Sequence, residues 1–185
     1  MLKKAYVVGV GGGTCSGKST LADRLEKKLS EKYTVSVINM DSYYRWMELK
    51  TIAPVTRLEY VDHNNPDGIK LDKLYADFTS AIGSCDIVII EGLFALYFDQ
   101  LRENCDLKIF VDLLSDERLH RRIKRHMSHG EGLDEVANRY LDTVRYRHNE
   151  FTEPTRWHAD IVINGTLDMN LGTNIAASYI ETQFS

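Results

Sequence analysis

The stretch Gly12-Gly13-Thr14-Cys15-Ser16-Gly17-Lys18-Ser19 decides the reading of this chain. It satisfies the pattern G-x-x-x-x-G-K-[ST] in a fitting context. The apolar run Ala5–Val10 reads as a buried strand before it, and Ser19–Lys32 reads as a helix after it, with Leu21, Leu25 and Leu29 on one face. Glycines let the backbone wrap a phosphate with successive N–H groups, and a helix N-terminus adds partial positive charge. In such a loop Lys18 reaches the β- and γ-phosphates and the Ser19 hydroxyl sits on Mg²⁺, while Gly12, Gly13, Thr14, Cys15, Ser16, Gly17 and Thr20 complete the cradle. The bland alternative is a glycine-rich turn with a surface lysine; the full motif and both flanking elements weigh against it.

Working outward, strand-like and helix-like segments alternate nearly throughout. Thr34–Met40, Asp86–Ile90, Leu107–Val111 and Ala159–Asn164 read as strands. Leu71–Ile82, Arg118–Ser128, Leu133–Phe151 and Leu171–Phe184 read as helices. Near-continuous apolar strands between helices predict an α/β fold: a parallel sheet covered on both faces, of the P-loop NTPase type. The 185 residues fit one domain, 1–185, with a small helical lid at about 115–150. The segment Arg45–Gly68, with Pro54 and Pro66, reads as a long irregular functional loop.

Composition narrows the function. Hydrophobic residues make up 43% and charged residues 27%, which excludes a disordered or fibrous chain. A net charge of −4 argues against general nucleic-acid or membrane-surface binding. The Lys3-Lys4 pair precedes an apolar run too short for a signal peptide, and no stretch approaches the roughly 18 apolar residues that span a bilayer. Cys15, Cys85 and Cys105 have no metal-ligand spacing and fit reduced thiols. A soluble, cytoplasmic protein is expected. Neither an NKxD base reader nor a DxxG switch occurs, which leaves a small phosphotransferase rather than a GTPase.

Two acids end strands. Asp41 follows Val35–Met40, and Glu91 follows Ile87–Ile90. Ligands of open α/β sheets sit outside the carboxyl ends of the strands, so both acids belong beside the loop. Glu91 reads as a Mg²⁺ carboxylate and Asp41 as the acceptor of a hydroxyl proton; strand-terminal acids also cap loops. Arg118, Arg121, Arg122, Lys124 and Arg125 form a basic cluster without an acid between 118 and 128. On a helix the four arginines span about 100° of arc beside Leu119, Ile123 and Met127, suited to charge on a transferring phosphoryl group or to a solvated basic face. Gly130 and Gly132 read as a hinge. Tyr43, Tyr44 and Trp46 stack on a nucleobase or pack the loop.

These segments resemble a known family. Gly12–Ser19, Asp41-Ser42-Tyr43-Tyr44-Arg45, Pro66-Asp67, Ile90-Glu91-Gly92, Phe110-Val111-Asp112, Arg118-Leu119-x-Arg121-Arg122-Ile123-x-Arg125 and Phe151-x-Glu153-Pro154-Thr155-Arg156-x-x-Ala159-Asp160 occur in the order seen in the uridine kinase family of the phosphoribulokinase/uridine kinase group. The resemblance implies ATP- or GTP-dependent phosphorylation of a nucleoside 5'-hydroxyl with Mg²⁺, uridine or cytidine being the acceptor, in a possible homo-oligomer. It implies Asp41 as catalytic aspartate, with Lys18 on the phosphates and Ser19 and Glu91 on the metal side. It implies that Asp67 takes the ribose hydroxyls and that Arg122 and Arg125 reach the triphosphate, while Tyr43, Arg118 and Arg139 are further substrate-binding candidates read from the residues themselves. Two departures stand out. The hairpin that reads the base between Asp67 and Glu91 is missing, since one helix and one strand use that length. The family's arginine-flanked lid glycine becomes Ser128-His129-Gly130-Glu131-Gly132, with Arg139 placed to restore one charge. The alternatives are a kinase for another small alcohol or sugar-like acceptor, or a nucleotide-binding regulator with little turnover.

Overall fold

The computed structural model describes residues 5–45, 49–166 and 168–184; Trp46 and the Lys3-Lys4 pair lie outside them. Strand β1 (Tyr6–Gly12) leads through the glycine-rich loop into helix α1 (Lys18–Leu29), and β2 (Val35–Asn39) ends in a 3₁₀ turn at Met40–Tyr43. Strands β3 (Lys50–Ile52) and β4 (Glu59–Val61) pair antiparallel, followed by a 3₁₀ turn at Pro66–Gly68 and α2 (Leu71–Ser84). Then come β5 (Ile87–Glu91), α3 (Asp99–Arg102), β6 (Leu107–Asp112) and α4 (Ser115–Met127). Helix α5 (Leu133–Arg139) continues through a π-helical turn, α6 (Arg145–Arg147) and a second π-helical turn to Thr152, before a 3₁₀ segment at Glu153–His158, β7 (Ile161–Asn164) and α7 (Asn170–Thr182).

The five long strands form one parallel sheet in the order β2-β5-β1-β6-β7. The central strands are apolar and β-branched because both faces of the sheet are covered there, and β5 is buried along its whole length, whereas the edge strands β2 and β7 are half-exposed. Val8, Val10, Ile87, Ile89 and Ile109 pack against Leu21, Leu25 and Leu29 of α1 and Ala176, Ala177 and Ile180 of α7. Val7, Val88 and Ile90 pack on the other face with Ile38, Phe78, Phe94 and Leu101. Burying each of the three α1 leucines completely contributes roughly 1.5–3 kcal/mol, enough to hold the start of α1 against β1. The strand order then brings the carboxyl ends of β1, β5 and β2 side by side, so the loop, Glu91 and Asp41 share one edge of the sheet.

The structure revises one expectation. The Arg45–Gly68 stretch is not wholly irregular: β3 and β4 form a hairpin inside it. Helix α4 buries Arg118 and Arg122 against the protein, holds Leu119, Arg121 and Ile123 half-buried and leaves Arg125 and Met127 exposed. The inner face of α4 meets the glycine-rich loop rather than the hydrophobic core.

Candidate active site

The loop's conformation follows from its residues. Cys15 at φ 58° and Gly17 at φ 107° are both left-handed, and alternating such positions makes a concave row of N–H groups that receives anions. Gly17 also stands at the N-cap of α1, where no side chain caps the helix, leaving the first N–H groups for a ligand. The backbone of Gly165, just after β7, is pressed against this loop: a Cβ there would lie 2.0 Å from the Ser16 carbonyl oxygen. Gly165 is therefore part of the loop's support, a role that only the contact reveals.

A cleft of about 520 Å³ opens over the loop. Thr14, Cys15, Gly17, Lys18, Ser19 and Thr20 line its floor, Glu91 and Asp41 its side, and Arg121, Arg122, Arg125 and Arg139 the wall above. The Lys18 ammonium is buried and donates to the Gly13 carbonyl at 2.9 Å. Burial lowers its proton affinity, and Glu91 and Asp41 nearby oppose that shift. Ser19 Oγ donates to Glu91 Oε1 at 3.0 Å. Burial raises the Glu91 pKa, with Lys18 and the Ser19 hydrogen bond acting the other way. Lys18, Asp41 and Glu91 thus act on one another electrostatically within one pocket.

The wall of the cleft sets arginine charge against the loop. Arg122 is buried, donates from Nη1 to Thr14 Oγ1 at 3.1 Å, and is pushed below its usual pKa by burial and by Arg125 and Arg139 beside it. Arg118 packs its guanidinium over Gly13 and donates from Nε to the Leu113 carbonyl at 3.0 Å. Arg122 Nε, Arg118 Nη1 and Ser16 Oγ are buried without a hydrogen-bond partner among the described residues. Buried donors are normally satisfied, so these three mark a place for an anionic ligand. The pair Ser19 and Glu91 offers hard oxygen donors suited to Mg²⁺, which needs few protein ligands when phosphate oxygens and water supply the rest.

Not every expected residue reaches the cleft. Tyr43 is buried and donates its hydroxyl to Asp77 Oδ2 at 2.8 Å, with Lys73 over its ring; Tyr44 lines the cleft instead. Asp67 sits exposed on the 3₁₀ turn, outside the lining, its N–H donated to Asn65 Oδ1 at 3.0 Å. The nearby acid that is buried is Asp62, whose carboxylate accepts from Arg147 Nε at 2.8 Å and from the Asn64 N–H at 3.1 Å. Arg139 lines the cleft but is engaged by acids: it donates to Glu131 Oε2 at 3.1 Å and to Glu135 Oε1 at 2.6 Å. Glu131 also accepts from His126 Nδ1, and that bond holds the Glu131 carboxyl below its usual range. Sequence reasoning missed His63, Asn64, His126 and Glu131 as lining residues. Only the intrusion of Glu131 beside the lid glycines was a readable signal.

Comparison with known proteins accords with this geometry. Residues 79–171 match the phosphoribulokinase/uridine kinase family. A uridine kinase of Lactobacillus helveticus is 32% identical, the match covering 88% of this chain and 87% of that one. Uridine-cytidine kinase B of Dictyostelium discoideum is 28% identical over 99% of this chain and 84% of its own length. Among solved structures, TT1252 of Thermus thermophilus superposes with a TM-score of 0.58 at 19% identity, covering 97% of this chain and 98% of that one, a likeness of fold. The chain therefore belongs to the phosphoribulokinase/uridine kinase family and is a small-molecule kinase.

Proposed function

We propose that the protein transfers the γ-phosphate of ATP, or of GTP, to the 5'-hydroxyl of a nucleoside, with uridine and cytidine as its acceptors. The observation that carries this reading is the presence of Asp41 in the same cleft as Lys18, Ser19 and Glu91. The names of the relatives, uridine kinase and uridine-cytidine kinase, support the acceptor. In this mechanism the loop amides and Lys18 hold the β- and γ-phosphates, and Asp41 accepts the hydroxyl proton as the acceptor oxygen bonds the γ-phosphorus and the bridging oxygen leaves with the nucleoside diphosphate. Arg122 and Arg125, on a lid formed by α4 and α5, balance the charge on the moving phosphoryl group. Ser19 and Glu91 would hold Mg²⁺, which would supply neutralising positive charge to the phosphates. Among the described residues no helix is long and apolar enough to cross a membrane, and the three cysteines are free, in keeping with a cytoplasmic setting.

A second reading, a kinase for another small alcohol, draws on the position of Asp67 outside the cleft. Release of ADP from Mg-ATP across a panel of nucleosides, pentoses and vitamin alcohols separates the two. Acceleration by uridine or cytidine supports the first reading, and acceleration by another alcohol replaces it with the second.

A further inference from the structure

Outside the cleft, two of its walls are joined. The chain after Asp41 departs at residues 43–45 and returns at 68–70, where the Arg45 N–H donates to the Gly68 carbonyl at 2.7 Å and the Lys70 N–H to the Tyr43 carbonyl at 2.9 Å. Between these ends the β3–β4 hairpin reaches across to the helix that continues from α5. Thr51 and Tyr60 face each other in the hairpin, and both meet that helix. Arg147 Nη2 donates to Thr51 Oγ1 at 3.1 Å, and the Tyr60 hydroxyl donates to Asp142 Oδ2 at 2.7 Å, with Thr56 Oγ1 donating to the same oxygen at 2.8 Å. Arg147 Nε also donates to Asp62 Oδ2 at 2.8 Å, just beyond β4. We infer that Arg147 and Asp142 are positioning residues that strap the loop after Asp41 to the lid helix and so set the width of the cleft for transfer. The inference rests on the nucleoside-kinase reading, in which acceptor and triphosphate must meet between those walls.

The fold explains how one helix offers both contacts. In a regular α-helix residues five apart diverge by about 140°. The π-helical turn at Tyr140–Val144, with its i→i+5 bonding, reduces that divergence, so Asp142 and Arg147 both meet the hairpin. The same helix is fixed to the arginine wall: the Tyr140 hydroxyl donates to the Ser115 carbonyl at the start of α4 at 3.0 Å, and Arg139 lines the cleft. On the loop side Asp62 is buried; its N–H donates to the Leu49 carbonyl at 2.9 Å, and its carboxylate also takes the Asn64 N–H. His63, next in the chain, lines the cleft, and its pKa is lowered by burial and then by Arg139 and Arg122, which sets this loop against the arginine wall. Glu150 takes Arg147 Nη1 at 2.6 Å, so the guanidinium is engaged along its whole fork. Because the Asp62 carboxylate is buried, loss of Arg147 would leave a charge without its counterion, and the loop would have to move outward to hydrate it. The glycine-rich floor is attached to the core through α1 and does not depend on the strap.

Steady-state kinetics with Mg-ATP and uridine, together with ATP titrations and thermal midpoints, test the inference in wild type, Arg147→Met, Arg147→Lys and Asp142→Ala. Arg147→Met should lower kcat/KM for uridine about 10- to 100-fold, the scale of a small misplacement away from the chemistry, while the Kd for ATP stays within about twofold. Arg147→Lys, which keeps a charge opposite Asp62 without the fork, should recover part of the loss. Asp142→Ala should show the same split on a smaller scale. A lower thermal midpoint with kcat/KM for uridine unchanged overturns the inference, as does a loss of ATP affinity equal to the loss of kcat/KM; either would make these contacts merely structural. If Arg147→Met does not fold, Asp142→Ala and Thr51→Val carry the same test. A wild type that accepts another alcohol but no nucleoside overturns the proposed function instead, and the split read with that alcohol still decides the strap. A wild type active on no alcohol overturns both.

Discussion

The floor and the upper wall of the cleft are built by different means. The floor, residues 12–20, is backbone geometry held by a buried core: α1 is locked by three leucines, Cys15 and Gly17 take left-handed angles, and Gly165 presses on Ser16. The wall, α4 with α5, is side-chain charge: arginines reach over the loop, two of them buried with one guanidinium nitrogen each lacking a partner among the described residues, and one engaged by glutamates. The floor is set once the chain folds, whereas the wall depends on which charges are present. Substitutions on the floor should therefore act through shape, and those on the wall through electrostatics.

The largest expected effect belongs to the side that joins them. Asp41→Asn should lower kcat by about 10²–10⁴-fold while leaving ATP affinity nearly intact, read by single-turnover assay and ATP titration. Comparable activity would remove Asp41 from the base role. Next comes the wall: Arg122→Ala should lower kcat by about 10²–10³-fold, and Arg122→Lys should restore little, because a point charge cannot replace a fork already bonded to Thr14. On the floor, Gly165→Ala should cost about 1–3 kcal/mol of stability by forcing Ser16 away, seen as a lower thermal midpoint with weaker ATP binding. If the midpoint moved without any change in ATP binding, Gly165 would not be supporting the loop.

Two smaller effects sharpen the contrast. His148 is buried behind the site, its Nε2 donating to Glu153 at 3.1 Å, and burial with Arg118 and Lys18 brings its pKa down to about 3. Between that value and its ordinary 6.5 the unfolded chain binds a proton that the folded chain refuses. Stability should therefore fall as pH drops through that window, by up to about 1.4 kcal/mol per pH unit, and be unaffected by this group at higher pH. Denaturant melts of wild type and His148→Gln would show a shallower acid limb in the variant. The smallest effect concerns Glu131. Releasing Arg139 and His126 with Glu131→Gln should tighten triphosphate binding roughly two- to fivefold, the scale of a partly exposed ion pair, and the gain should shrink at high salt.

The parts of the site visible in sequence are those whose chemistry is local. The loop needs glycines at certain angles and a lysine at a set spacing, so it reads directly from residues 12–19. Asp41 and Glu91 were legible because a strand's end is also the edge where ligands sit. The hairpin was not, because β3 and β4 have three residues each and a half-exposed pattern that propensity cannot distinguish from a loop. In α4 the arginine face was legible but not which arginines are buried, because Arg118 and Arg122 meet the glycine-rich loop while Arg125 is exposed. The locations of His63, Asp67 and Asp62 depended on how a turn closes between two distant anchors, Leu49 and Arg147.

Sequence alone determined the alternation of strands and helices, the anion-receiving loop and the two strand-end acids, since each arises from short-range periodicity or backbone preference. Tertiary structure alone decided which arginines turn inward, which acids hold them, and which residues besides the loop and the strand-end acids line the cleft. Those outcomes depend on contacts between segments far apart in the chain, where burial and neighbouring charge, rather than residue type, decide what a side chain does.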